Sequence, residues 1–140
     1  MAKLLIIHGP NLNMLGTREP QHYGKLTLDE LNKLIMKHAK KHSVECFQSN
    51  AEHDIIDKIQ THKADFLIIN PGAFTHTSIA IRDALLAVKT PFYEVHLSNI
   101  YARESFRHLS YLCDIATGVV SGLGHFGYLA AIDAAIEQLS

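Results

Sequence analysis

Short apolar runs alternate along this chain with longer stretches in which apolar side chains recur every three or four positions. The first run, Lys3 to His8, is continuous, as expected of a central strand covered on both faces. Gly9 to Leu26 breaks the pattern with Pro10, Gly16, Pro20 and Gly24, and a long irregular stretch of this kind is commonly a lid or binding loop. Thr27 followed by Glu30 reads as a capping box opening a first helix. Leu28, Leu31, Leu34, Ile35 and Ala39 are its buried stripe, and Lys37, Lys40 and Lys41 suit its C-terminal end. A second strand, 44–48, is followed by a helix that Asn50 could cap, with Ile55, Ile56 and Ile59 inward. Phe66 to Ile69 is a third strand ending at Asn70-Pro71-Gly72. Thr77 or Ser78 opens a third helix, Phe92 to Leu97 is the fourth strand, and a polar segment from Ser98 to Ser110 has room for one helical turn. Ala116 to Val120 is the fifth strand and Gly124 to Leu139 a closing helix.

Strands alternating with helices predict an α/β fold with right-handed crossovers. The expected architecture is a flavodoxin-like three-layer sandwich, a five-stranded parallel sheet in the order 2-1-3-4-5, with residues 1–140 as one domain. Ligands of such sheets bind beyond the carboxyl ends of the strands, near the switch between strands 1 and 3. Residues just after strands 1, 3 and 4 should therefore share one crevice.

Composition narrows what that crevice can hold. A formal net charge of −1 offers no broad field for nucleic acid or an anionic membrane, so any anion site must be local. The apolar start is too short for a signal-peptide core or a membrane span. Cys46 and Cys113 form no CxxC pair and read as buried thiols in a reducing cytosol, which places the chain in the cytoplasm. Ten histidines raise the question of a metal, and His38 and His42 have a zinc-compatible spacing. They lie in a lysine-rich stretch without a third ligand, and His53, His62, His108 and His125 form no ligand group, so no metal site is expected.

Strand 1 delivers Asn11, Asn13, Arg18 and Tyr23 to the crevice, strand 3 delivers Asn70, Gly72 and His76, and strand 4 delivers Glu94, His96 and Ser98, with Arg103 and Arg107 close behind. Tyr23, in a glycine-flanked loop, can be a packing anchor. Held by Arg18 as a phenolate, it can instead be a general base for a C–H proton. Glu94 and His96 point the same way, about 7 Å apart along the strand. They are either a polar strand end meeting water or an imidazole acid tuned by a carboxylate. Arg103 and Arg107, four apart, share a face on a helical turn, either as solvated charges or with one forking onto a carboxylate. Asn70 marks a turn, yet an amide ending a buried strand needs partners.

The segments Gly9-Pro10-Asn11-Leu12-Asn13-Met14-Leu15-Gly16-Thr17-Arg18-Glu19-Pro20 with Tyr23-Gly24, Asn70-Pro71-Gly72-Ala73-Phe74-Thr75-His76-Thr77-Ser78, Glu94-Val95-His96-Leu97-Ser98-Asn99 with Ala102-Arg103-Glu104 and Phe106-Arg107, and Gly122-Leu123-Gly124 with Gly127-Tyr128 resemble, in order and over nearly the whole chain, the type II 3-dehydroquinate dehydratases. The resemblance implies an anti elimination of water through an enolate, without Schiff base, metal or cofactor. By position, Tyr23 would be the base, Arg18 would hold it ionised, and Asn11 would support the enolate oxygen. His96 would protonate the departing hydroxyl, assisted by Glu94 and with Asn70 positioning the hydroxyl. His76, Asp83 and Arg107 would bind the substrate's hydroxyls and carboxylate, with the backbone of Leu97 and Ser98 completing the carboxylate site. Arg103 would be a lid cation. The resemblance further implies a homododecamer built as a tetramer of trimers, with Asp83 reaching a neighbouring subunit's site. It leaves open whether the reaction serves the shikimate pathway to aromatic amino acids or quinate breakdown. Tyr101 and Phe126 depart from the family's usual histidine and glutamine, at positions without a proposed catalytic role.

Rival readings of the same fold lack their chemistry. A flavin module needs a hydroxyl-rich loop after strand 1, where this chain has Pro10-Asn11-Leu12-Asn13. A phosphoacceptor domain needs an aspartate after strand 3, where Asn70 stands.

Overall fold

A computed structural model describes residues 1–17 and 25–140. Strands β1 (Lys3–His8), β2 (Ser43–Gln48), β3 (Phe66–Asn70), β4 (Phe92–His96) and β5 (Gly118–Ser121) form one parallel sheet in the order β2-β1-β3-β4-β5. That is the predicted order. Successive strand residues face opposite sides of a sheet, so each central strand feeds two cores. On one side Leu4, Ile6, Phe66, Ile68 and Val95 pack under helices α1 (Leu28–Ala39) and, at the far end of the chain, α4 (Phe126–Leu139), which supply Leu31, Ile35, Tyr128 and Ile132. On the other side Leu5, Ile7, Leu67, Ile69 and Phe92 pack under α2 (Glu52–Thr61) and α3 (Ile79–Val88), through Ile55, Ile59, Ile81 and Leu85. β1 and β3 are covered on both faces, which is why their sequences read as unbroken apolar runs.

The capping box forms as expected. The Glu30 amide donates to Thr27 Oγ1 at 3.2 Å, and Glu30 Oε1 accepts from the Thr27 amide at 3.1 Å. Ser78 rather than Thr77 caps α3, accepting from the Ile81 amide at 2.9 Å.

Other expectations are corrected. Asn50 does not cap α2. Ala51 occupies that place, and the Asn50 amide oxygen instead accepts from the Asn11 backbone N–H at 3.0 Å and from Gln48 Nε2 at 3.1 Å. β5 starts later than the apolar run because the Ala116 N–H is taken by the Leu112 carbonyl of the preceding turn. The closing helix begins at Phe126, since Gly124 adopts a left-handed backbone (φ 60°) that no α-helix accommodates. Arg103 and Arg107 share no continuous helix. Two separate 3-10 turns, Ile100–Ala102 and Ser105–Arg107, flank an extended Arg103. Cys46 is only half-buried, because β2 is an edge strand, and Cys113 is exposed in a turn. His38 and His42 have structural partners: His38 bonds Asp133 at 2.8 Å, and His42 Nδ1 accepts from the Ala2 amide at 3.0 Å.

Candidate active site

The loops leaving β1 and β3 are drawn together at the carboxyl end of the sheet. The Gly9 N–H donates to the Asn70 carbonyl at 2.7 Å. A Cβ on Gly9 would lie 2.4 Å from the Pro71 carbonyl, so only glycine allows this approach. Gly72 answers from the other loop with a left-handed backbone (φ 59°) against the Pro10 carbonyl. A cleft open to solvent lies over this junction. Asn11, Asn70, His76, His96, Leu97, Ser98, Arg103 and Arg107 all line it, as the crevice rule anticipates.

The chemical centre is a buried pair on β4. Glu94 is fully buried and His96 nearly so, with His96 Nε2 2.5 Å from Glu94 Oε2. The strand end therefore does not simply meet water. Two hydroxyl groups also engage the carboxylate. The Thr75 hydroxyl donates to Oε2 at 2.7 Å, and the Ser110 hydroxyl donates to Oε1 at 2.9 Å. Ser110 is itself oriented, since its oxygen accepts the backbone N–H groups of Leu112 and Cys113. Burial pushes the Glu94 carboxyl up. The bond and charge of His96, with the bonds from Thr75 and Ser110, outweigh that and hold it below the ordinary carboxylate range. The pair thus sets an imidazole nitrogen against a carboxylate, leaving His96 Nδ1 as the ring nitrogen that the carboxylate does not engage.

His76 stacks nearly parallel to His96, with ring centroids 6.5 Å apart. Its Nδ1–H donates to the Leu109 carbonyl at 2.6 Å. Burial lowers its pKa, the Leu109 bond opposes this, and the charges of His96 and Arg107 lower it further. A neutral His76 keeps Nε2 as an acceptor for a hydroxyl. Arg107 Nε is held by Glu104 at 3.2 Å, and its guanidinium lies over the Phe106 ring. Asn11 has a left-handed backbone (φ 71°), pinned by Asn50. The Asn70 amide oxygen accepts from the Gly72 N–H at 3.1 Å, which leaves its NH₂ group to donate.

Some expected residues fall elsewhere. Asn13 is exposed on the 3-10 turn Leu12–Met14 and does not line the cleft, whereas Leu12, Met14 and Leu15 do. Asp83 is exposed on α3 and does not line this cleft either. Arg18 and Tyr23 lie outside the described residues. Thr75 and Ser110 were not singled out from sequence, although they hold Glu94. Thr75 sits inside the Asn70–Ser78 segment, but only the fold carries Ser110 back to β4.

The family model for dehydroquinase class II matches residues 2–136. A 3-dehydroquinate dehydratase of Thioalkalivibrio sulfidiphilus is 59% identical over 144 residues, covering 98% of this chain and 97% of the relative. A 3-dehydroquinate dehydratase 1 of Pseudomonas putida is 55% identical over 145 residues, covering 100% of this chain and 96% of the relative. Among solved structures, the type II dehydroquinase of Butyrivibrio crossotus superposes with a TM-score of 0.93 at 46% identity, covering 96% of this chain and 97% of the other.

Proposed function

This chain belongs to the dehydroquinase class II family, and from that membership we propose that it is a 3-dehydroquinate dehydratase, a hydro-lyase converting 3-dehydroquinate to 3-dehydroshikimate. The observation that carries the proposal is the buried Glu94–His96 pair opening onto a cleft whose rim holds Arg103 and Arg107. An elimination that expels hydroxide needs a placed acid, and a carboxylated substrate needs a local cation. Both are present in a chain whose net charge is −1.

The reaction runs as an anti elimination through an enolate. Tyr23, as phenolate beside Arg18, removes the proton next to the ketone, and the electron pair moves onto the carbonyl oxygen, supported by Asn11. Collapse of the enolate breaks the carbon–hydroxyl bond as His96 supplies a proton, releasing water. Glu94 favours the imidazolium before transfer, and Asn70 orients the departing hydroxyl. His76 accepts from a substrate hydroxyl. Arg107 binds the carboxylate together with the backbone of Leu97 and Ser98, and Arg103 closes over the bound ring. No cofactor or metal enters this sequence.

Residues 1–140 act as one cytoplasmic domain, serving the third step of the shikimate pathway. The chain assembles as a homododecamer, a tetramer of trimers, in which Asp83 completes a neighbour's site. The exposure of Asp83 away from its own cleft supports that placement, and so do the apolar side chains of Val119, Leu123 and Phe126 left open around edge strand β5.

The test is the ultraviolet absorbance of the conjugated enone formed from 3-dehydroquinate with no metal or cofactor added. The chain produces it, Tyr23→Phe abolishes it, and borohydride with substrate leaves activity intact because no imine forms. Turnover at the normal rate by Tyr23→Phe would remove Tyr23 as the base.

A further inference from the structure

One short strap of chain meets the site three times, and the mechanism above assigns it no part. Residues 109–111 run past the 3-10 turn Gly72–His76, which carries Thr75 and His76. The Leu109 carbonyl lies 2.6 Å from His76 Nδ1. A carbonyl can only accept, so Nδ1 carries the hydrogen and Nε2 is left as the acceptor. The Ser110 hydroxyl donates to Glu94 Oε1 at 2.9 Å. The Tyr111 N–H donates to the Thr75 carbonyl at 2.8 Å. The peptide groups on both sides of Ser110 are therefore tied to the turn, which fixes where its hydroxyl points.

Arg82, in the first turn of α3, holds the strap from outside. It does not line the cleft. Its Nη1 donates to the Tyr111 carbonyl at 2.9 Å and to Asp114 Oδ1 at 2.5 Å, which uses both hydrogens of that nitrogen. Tyr111 is thus clamped at its N–H by Thr75 and at its C=O by Arg82. The cap of α3, Ser78, stands two residues beyond His76. Arg82 therefore fastens the strap to the same piece of chain that Leu109 and Tyr111 reach.

We propose that Arg82 is a positioning residue: with Asp114 as its counter-ion it clamps the 109–111 strap, and the strap keeps His76 and the Glu94–His96 pair in register for one substrate. The inference rests on the dehydratase reading of the site. A purely structural role would need only that Arg82 stitch a loop to a helix. The strap adds two functional ends, a carbonyl that sets the His76 tautomer and a hydroxyl that holds the Glu94 carboxylate.

The experiment follows steady-state turnover of 3-dehydroquinate across pH, with the thermal unfolding midpoint and the mass in solution measured beside it. Arg82→Met keeps most of the stem and removes the donors. It should lower kcat about tenfold, because the acid pair loses its support. It should also raise KM about threefold through His76. The acid limb of kcat should move to higher pH, since a loosened Ser110 donates less well to the Glu94 anion. The other titratable or charged groups here are His76, stacked on His96, and Arg103 and Arg107 on the cleft rim, the latter bonded to Glu104. Arg82→Met leaves all of these in the chain. Arg82→Lys, which keeps a cationic donor, should recover most of the loss. In a Ser110→Ala background, Arg82→Met should move the acid limb no further, because the hydroxyl it places is gone. An unmoved limb in Arg82→Met, a further shift without Ser110, or losses that simply track the unfolding midpoint or the mass in solution would each overturn the proposal. Should Arg82→Met fail to fold, Asp114→Ala carries the test from an exposed turn. A smaller shift of the acid limb in the same direction supports the clamp, and an unchanged profile defeats it. Wild-type chain that makes no enone sinks the reaction assignment and the clamp together, whereas active wild type with indifferent variants sinks the clamp alone.

Discussion

Glu94 is a buried carboxylate, and three side chains share the work of keeping it charged. His96 was legible as its partner, because two residues on one face of a strand must point the same way. Thr75 and Ser110 were not, because the bonds they make span 19 and 16 residues and depend on where the chain returns. Ser110 gives the sharpest test. Ser110→Ala deletes a donor to the anion, so the Glu94 pKa must rise from its depressed value. The carboxylate charge beside His96 is present above the Glu94 pKa and lost below it. The acid limb of the kcat profile should therefore move to higher pH in Ser110→Ala, and an unmoved limb would show that this hydroxyl does not support the carboxylate.

Strand and helix identities were readable wherever burial enforces a period. The unbroken run of β1 and the capping box of α1 are the clearest cases. Readings failed where a single backbone bond decides the outcome. The Leu112 carbonyl that captures the Ala116 N–H delays β5, and the left-handed Gly124 delays the last helix. Asn50 had the composition of a cap, but it serves the β1 loop instead. That loop meets its β3 counterpart at Gly9, where a methyl group would collide with the Pro71 backbone rather than with a yielding side chain. Gly9→Ala should accordingly lower stability by about 2 kcal/mol in urea unfolding and depress kcat as well. A variant as stable as the parent would mean that the two loops part without cost.

For the molecule as a whole, acid should act first through His8. Its pKa falls from 6.5 in the unfolded chain to about 4 in the core because burial disfavours the charged form, although the Asn32 bond partly opposes this. A group depressed in this way contributes stability fully above pH 6.5 and loses it as the pH falls towards 4. The contribution is about 3 kcal/mol. His8→Asn should flatten the stability profile across that window in denaturant titrations, and an unchanged slope would assign the acid sensitivity elsewhere. Assembly is testable at the same scale. If Asp83 completes a neighbour's site, Asp83→Ala and His96→Gln chains, each nearly inactive alone, should regain part of the activity when co-expressed; no recovery would confine Asp83 to its own subunit. The junction of Gly9 with Pro71 also bears on inhibition. Two strand ends clamped backbone to backbone form a floor that does not have to rearrange when a guest arrives. A rigid carboxylated ring whose polar groups match that floor should therefore gain affinity with each added contact, because little of the gain is spent on ordering the receptor beneath it.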